Sequence, residues 1–287
     1  MSIKQRLSRV FYYCAHAIGW MTRSYFFEDY VRVYPDGLSY YPFGIRRKLT
    51  KQILNNFRNH QKFYFFVSQF SKGKKVVDVG CGSGHGCEVL KKTGAADVYG
   101  CDVSKSSIAF AKSRFGQSAQ FNCQTITDMS RYPADFAEVI VSSEVLEHIK
   151  EYGKEEQAIL EMKRITCDGG LLVIATPNSE LLGDHGFYFD EISKLFAYNF
   201  RNYCIFENAF VPSGPARDAW EQRLKENRVG VVISELINVE ESVVPEGVVP
   251  EIKQGLSPGK FSFDGIEVDT TLLHNTHSWV VLARNEK

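Results

Sequence analysis

The sequence predicts an α/β fold in which a mostly parallel sheet of seven strands is covered by helices on both faces. Three observations carry this reading. Short apolar, β-branched runs alternate with stretches of helical spacing from about residue 73 onward. The runs are apolar at successive positions rather than at every second one, as expected of strands buried on both faces. A glycine cluster follows the first run directly, where a strand must turn into a helix. The 287 residues are 44% apolar and 24% charged, which excludes disordered, collagen-like and coiled-coil chains. Lys and Arg balance Asp and Glu at 34 each, so no global field draws in nucleic acid and no nucleic-acid partner is expected.

Residues 1–70 read as a helical cap. Lys4, Arg6 and Arg9 precede an apolar stretch from Val10 to Met21 that is too short to span a bilayer. It is taken as a helix packed on the body, with a weak membrane-surface contact as the alternative. Turn signals stand at Tyr34-Pro35-Asp36-Gly37 and at Pro42 to Gly44, and Tyr40, Tyr41 and Phe43 read as core rather than as an acceptor pocket. A helix is expected from about Arg46 to Phe70, where Leu49, Ile53, Leu54, Phe57, Phe65, Phe66 and Phe70 recur near helical spacing.

The core is placed at 71–208. Its strands are Val76 to Val79, Asp97 to Cys101, Gln120 to Cys123, Glu138 to Ser142, Leu171 to Ala175 and Tyr203 to Glu207; its helices include Ser104 to Arg114, Glu151 to Thr166 and Asp190 to Tyr198. Gly169-Gly170 reads as a stop and turn before the fifth strand. Residues 209–275 are rich in Pro and Gly and carry short β-like runs at Val229 to Ile233 and Phe261 to Phe263. This segment reads as an insertion, either a lid or a contact in a homo-dimer. Residues 276–287 contain the run Ser278 to Ala283, expected to return to the main sheet as its last strand. Seven scattered cysteines without a C-x-x-C pair suit neither a disulfide framework nor a zinc knuckle, and point to a reducing, cytoplasmic setting.

The chemistry concentrates in three places. Asp78-Val79-Gly80-Cys81-Gly82-Ser83-Gly84-His85 offers a backbone that a ligand can approach closely, at the unpaired N–H groups of a helix start. A dinucleotide fingerprint counted from Gly80 would place glycine at position 85, where His85 stands, so a nicotinamide oxidoreductase is the weaker alternative. Asp102, ending the second strand, can accept both hydroxyls of a ribose, or else cap the helix that follows. Ser142-Ser143-Glu144-Val145-Leu146-Glu147-His148-Ile149 and Thr176-Pro177-Asn178 follow the fourth and fifth strands, beyond whose ends open α/β sheets bind ligands.

Gly-x-Gly-x-Gly after an acidic strand residue, Gly100-Cys101-Asp102-Val103-Ser104, Ser143-Glu144-Val145-Leu146-Glu147-His148-Ile149, Asp168-Gly169-Gly170 and Thr176-Pro177-Asn178 together resemble the class I S-adenosylmethionine-dependent methyltransferases, in particular the ubiquinone-biosynthesis type. The likeness covers about Gly73 to Glu207. His60-Gln61-Lys62-Phe63-Tyr64 is similar to the His-x-x-Arg-Tyr element of bacterial methyltransferases associated with surface-polysaccharide synthesis. The resemblance implies a Rossmann-like fold, S-adenosyl-L-methionine as cofactor, and methyl transfer to a hydroxyl of a sugar, glycan precursor or other small metabolite. The implied cofactor site comprises His60, Asp78, Gly80, Cys81, Gly82, Ser83, Gly84, Asp102, Val103, Gln124, Thr125 and Ser143. A hydroxyl acceptor needs a base, for which His148 and then His185 are the candidates. No metal is assigned, although Glu144, Glu147 and His148 would share a face on a regular helix, and similar positions in the ubiquinone-pathway relatives are associated with magnesium. A catalytically silent, cofactor-binding scaffold for glycan assembly is the remaining alternative.

Overall fold

The computed structural model describes residues 26–28, 31–33, 60–179, 185–208, 260–270, 273 and 278–287. The expected helix from Val10, the aromatic trio Tyr40, Tyr41 and Phe43, the first turns of the helix from Arg46 and the run Val229 to Ile233 lie outside these residues. The described elements are β1 (Phe26–Glu28), β2 (Val31–Val33), α1 (60–71), β3 (Lys75–Val79), α2 (His85–Lys92), β4 (Asp97–Asp102), α3 (Lys105–Phe115), β5 (Gln120–Cys123) and β6 (Ala137–Ser143). They continue with α4 (Leu146–Lys150), α5 (Glu155–Ile165), β7 (Thr166–Pro177), α6 (Phe189–Asn199), β8 (Asn202–Asn208), β9 (Lys260–Phe263), β10 (Ile266–Asp269) and β11 (Ser278–Arg284).

Seven of these strands form one sheet in the order β5-β4-β3-β6-β7-β11-β8. Every neighbouring pair is parallel except those of β11, which runs antiparallel to both β7 and β8. The sheet is thus the mostly parallel, Rossmann-like α/β sheet expected, closed by the run at 278–284. Side chains along the inner strands alternate between two cores. Val139, Val141, Leu171 and Val173 pack on one face with Leu90 and Phe121; Ile140, Leu172 and Ile174 pack on the other with Ile159, Met162 and Phe196. Both faces being apolar, the strands show no polar alternation, which is why they read as continuous runs.

Local departures from expectation have local causes. Phe26–Glu28 and Val31–Val33 pair as antiparallel strands inside the N-terminal region expected to be helical; β-branched and aromatic residues on either side of a two-residue connection favour that pairing. The helix expected over 151–166 starts only at Glu155, as α5, because the chain first turns at Gly153, whose φ of 62° an L side chain rarely adopts. Gly169-Gly170 does not precede the fifth strand but lies within β7, where pairing jumps from Ala137↔Thr166 to Val139↔Leu171. The backbone displaced there is tied to Asn285, which accepts from Gly169 N–H at 2.7 Å and donates its N–H to the Gly170 carbonyl at 2.9 Å.

Asn285 is fully buried, and its Nδ2 donates to the carbonyls of Thr166 (2.8 Å), Lys163 (3.2 Å) and Cys167 (3.3 Å). Asn285→Ala leaves these carbonyls at the α5–β7 junction without that donor. A loss of about 1–3 kcal/mol is expected, read as a lower urea midpoint with an unchanged slope. Six cysteines, all those in the described residues, are free thiols. No helix among the described residues is long and apolar enough to cross a membrane.

Candidate functional site

Strand order reverses at β3: the chain moves outward through β4 and β5 on one side and through β6 and β7 on the other. A crevice beyond the strand ends is the geometric result, and a cavity of about 460 Å³ lies there, large enough for a small organic ligand.

The glycine loop forms its floor. Gly80, Gly82 and Gly84 have φ of 76°, 49° and 83°. The loop is pinned by the N–H groups of Gly80 and Cys81, which both donate to the Cys101 carbonyl at 2.8 and 2.9 Å. Gly80, Cys81, Gly82 and Ser83 line the cavity; a Cβ on Gly80 would stand 2.3 Å from Val145 Cγ2, so only glycine fits between loop and wall. Gly84 corrects the expectation. It does not line the cavity, and its missing Cβ leaves room for Ala111 and Phe121, each 2.8 Å from where that atom would be.

Asp102 ends β4 with its buried carboxylate at the cavity. Oδ2 accepts from Gly82 N–H at 3.0 Å and Oδ1 from Ser104 N–H at 2.8 Å, so it joins the glycine loop to the start of α3. The helix cap is Ser104 itself, whose hydroxyl accepts from Ser107 N–H at 3.2 Å. Val103, Thr125 and Ser143 also line the cavity. Gln124 does not: its side-chain amide is buried by the Cys101 thiol, and Thr125 and Thr127, hydroxyls 2.9 Å apart, present the polar atoms there instead.

Asp78 likewise lies beneath the wall and not in it. It is fully buried in the central strand, accepting from Tyr64 Oη at 3.1 Å on both oxygens and from Cys87 Sγ at 3.4 Å. Burial raises its carboxyl to about 7, against the lowering effect of the Cys87 and Tyr64 hydrogen bonds. Tyr64 closes the His60-to-Tyr64 element marked in the sequence, though it was not assigned to the cofactor site, and with His60 it carries α1 to the cavity. Burial lowers His60 to about 4, which keeps its imidazole neutral at physiological pH. His85, the residue that breaks the dinucleotide spacing, packs its buried ring 5.5 Å from Tyr64 and 6.1 Å from His60.

A further part of the lining follows β6. Glu144 has a φ of 55° and lies outside the helix, which begins at Leu146, so the single helix face expected for Glu144, Glu147 and His148 does not form. Glu144 accepts from Ser278 Oγ at 2.9 Å and Glu147 from Thr176 Oγ1 at 3.0 Å. Burial pushes both carboxyls well up, and repulsion from Glu144 adds to the rise at Glu147. His148 lines the cavity with its Nε2 3.8 Å from Glu147 Oε1, beyond hydrogen-bond range. His185 is exposed outside the cavity lining, its ring 5.5 Å from that of His148. Donor atoms of Glu147, His148 and His185 lie within 4.8 Å of one another, a grouping that can hold a cation and that sequence spacing concealed because His185 arrives from a separate loop. Tyr152 and Lys154, between α4 and α5, line the mouth; no motif marked them.

These features fit an adenosyl amino acid: a carboxylate for ribose hydroxyls, apolar Val103, Ile126 and Val145 for a flat base, and a glycine floor open to a charged chain. Comparison with known proteins agrees. Residues 77–174 match the family described as "Methyltransferase domain". The ubiquinone biosynthesis O-methyltransferase of Rhodopseudomonas palustris (strain BisB18) is 34% identical over 109 residues, 37% of this chain and 41% of that protein. A probable S-adenosylmethionine-dependent methyltransferase of Mycolicibacterium smegmatis is 25% identical over 122 residues, 42% of this chain and 45% of its own length. The match to such curated relatives spans about two fifths of their length. A TehB-like S-adenosylmethionine-dependent methyltransferase from Corynebacterium glutamicum has a solved structure 25% identical to this chain, with a TM-score of 0.41 over 47% of this chain and 69% of that one. The chain therefore carries, over residues 77–174, a class I S-adenosylmethionine-dependent methyltransferase domain, and its cofactor is S-adenosylmethionine.

Proposed function

We propose that the chain methylates a hydroxyl oxygen of a small metabolite, a sugar or a glycan precursor, with His148 as the base. The observation that carries this is that His148 lines the same cavity as the glycine loop and Asp102. When bound, S-adenosylmethionine supplies an electrophilic methyl on a sulfonium, which needs an aligned nucleophile more than it needs activation. Asp102 would hold the ribose and the loop at Gly80 to Ser83 the amino-acid moiety, while Val103 and Ile126 exclude water from the base. His148 Nε2 would take the acceptor proton as the oxygen attacks. Relatives named as O-methyltransferases support oxygen as the acceptor atom.

The test is a methyl-labelled donor offered to the full chain with a panel of nucleotide-linked sugars and of hydroxylated aromatic metabolites. Label in an ether stable to base is the expected product. Label on nitrogen or carbon would overturn the oxygen assignment, and donor binding without transfer to any panel member would favour the silent scaffold.

A further inference from the structure

We propose that the β9–β10 hairpin, at the end of the segment inserted before the last strand, is a clasp that sets the cavity-side position of α1, with Gln69 as the positioning residue. Gln69 stands near the end of α1 and behaves toward β10 as another strand would. Its Nε2 donates to the Asp269 carbonyl at 3.2 Å, and its Oε1 accepts from the Asp269 N–H at 2.8 Å. The same Nε2 donates to the Phe66 carbonyl at 2.8 Å, which ties the amide to its own helix. Apolar packing runs along the same line: Phe206 lies 6.0 Å from Phe66 of α1 and 5.5 Å from Phe261 of β9, ring to ring. Phe263, Val268 and Leu273 share a core with Phe63, Phe66 and Phe70.

The other end of α1 reaches the cavity, where His60 and Tyr64 form part of its lining. Tyr64 is held without slack. Its hydroxyl bonds to both oxygens of Asp78, and its ring fills the space above Gly86, where a Cβ would stand 2.0 Å from Cζ. From Gln69 to Tyr64 the helix rises only about 7–8 Å, so a tilt allowed at the hairpin is delivered to the Tyr64 hydroxyl. Gln69 is not part of the cavity lining and acts through α1. The inference rests on the cavity being the cofactor site.

The test uses the full chain in three variants, Gln69→Ala, Gln69→Glu and Tyr64→Phe, with the Gln69→Ala/Tyr64→Phe double. S-adenosylhomocysteine affinity is measured by calorimetry and protection of residues 60–66 by hydrogen exchange. Gln69→Ala should weaken affinity by about 3- to 10-fold and speed exchange along 60–66. Gln69→Glu, which keeps the acceptor for Asp269 N–H but turns a carboxylate oxygen on the carbonyls of Phe66 and Asp269, should be at least as weak as Gln69→Ala. The double variant should be no weaker than Tyr64→Phe alone, since both changes break one chain of contacts. Unchanged exchange at 60–66 in Gln69→Ala, or losses that multiply independently in the double, would overturn the clasp. If the parent protein fails to bind S-adenosylhomocysteine, the cavity assignment falls, and exchange at 60–66 alone decides the clasp.

Discussion

Turnover in His148→Ala should drop by about 100- to 10,000-fold, the usual contribution of a positioned general base, while affinity for S-adenosylhomocysteine stays within about twofold. The separation follows from topology: His148 reaches the cavity from the segment after β6, whereas the glycine loop and Asp102 reach it from the ends of β3 and β4. Single-turnover methyl transfer and calorimetry on the same preparation read the two quantities. The grouping of Glu147, His148 and His185 sets up the competing outcome. Were a cation the activating group, EDTA would abolish transfer, magnesium would restore it, and His185→Ala would be as damaging as His148→Ala. Transfer that is indifferent to chelator and to His185→Ala keeps the role with the imidazole. Near-normal turnover in His148→Ala would remove it from the chemistry altogether.

Asp102→Ala should weaken cofactor binding by about a hundredfold or more, roughly 3 kcal/mol. Two losses add up. The carboxylate proposed to meet the ribose disappears, and so do the acceptors of Gly82 and Ser104 N–H, which leaves the glycine loop and the start of α3 without their shared anchor. Asp102→Asn separates the two. An amide keeps one acceptor but turns an N–H donor toward the other backbone N–H, so it should recover only part of the affinity. Calorimetry that returned the parent's affinity for Asp102→Ala would end the assignment.

Both predictions rest on residues that the sequence marked, and the reason is topological. Motifs that follow parallel strands at their ends, such as Gly80 to Ser83 after β3 and Asp102 at the tip of β4, must meet, because the sheet brings those ends to one edge. Continuous apolar runs were equally legible, since burial on both faces leaves strands such as Val139 to Val141 no polar alternation. What sequence hid was set by contacts distant along the chain. Tyr64 was marked by its place in the His60-to-Tyr64 element, but its partner was not; only the fold brings its hydroxyl to Asp78. Gly84 looked like its loop neighbours, yet Ala111 and Phe121 determine its size. The helix-face argument for Glu144 failed because the chain turns through a positive φ before α4 starts, and His185 takes the place it was expected to fill.

The reversed strand β11 also constrains the order in which the molecule can be completed. It lies between β7 and β8, and among the described residues β8 has no other ladder partner. While the ribosome is still making residues 209–277, the segments destined to be β7 and β8 are already synthesised, each with an unsatisfied row of backbone groups and apolar side chains. Such edges recruit other chains. Nascent copies are therefore most prone to self-association in the interval before residues 278–284 emerge, and the length of the intervening segment sets how long that interval lasts.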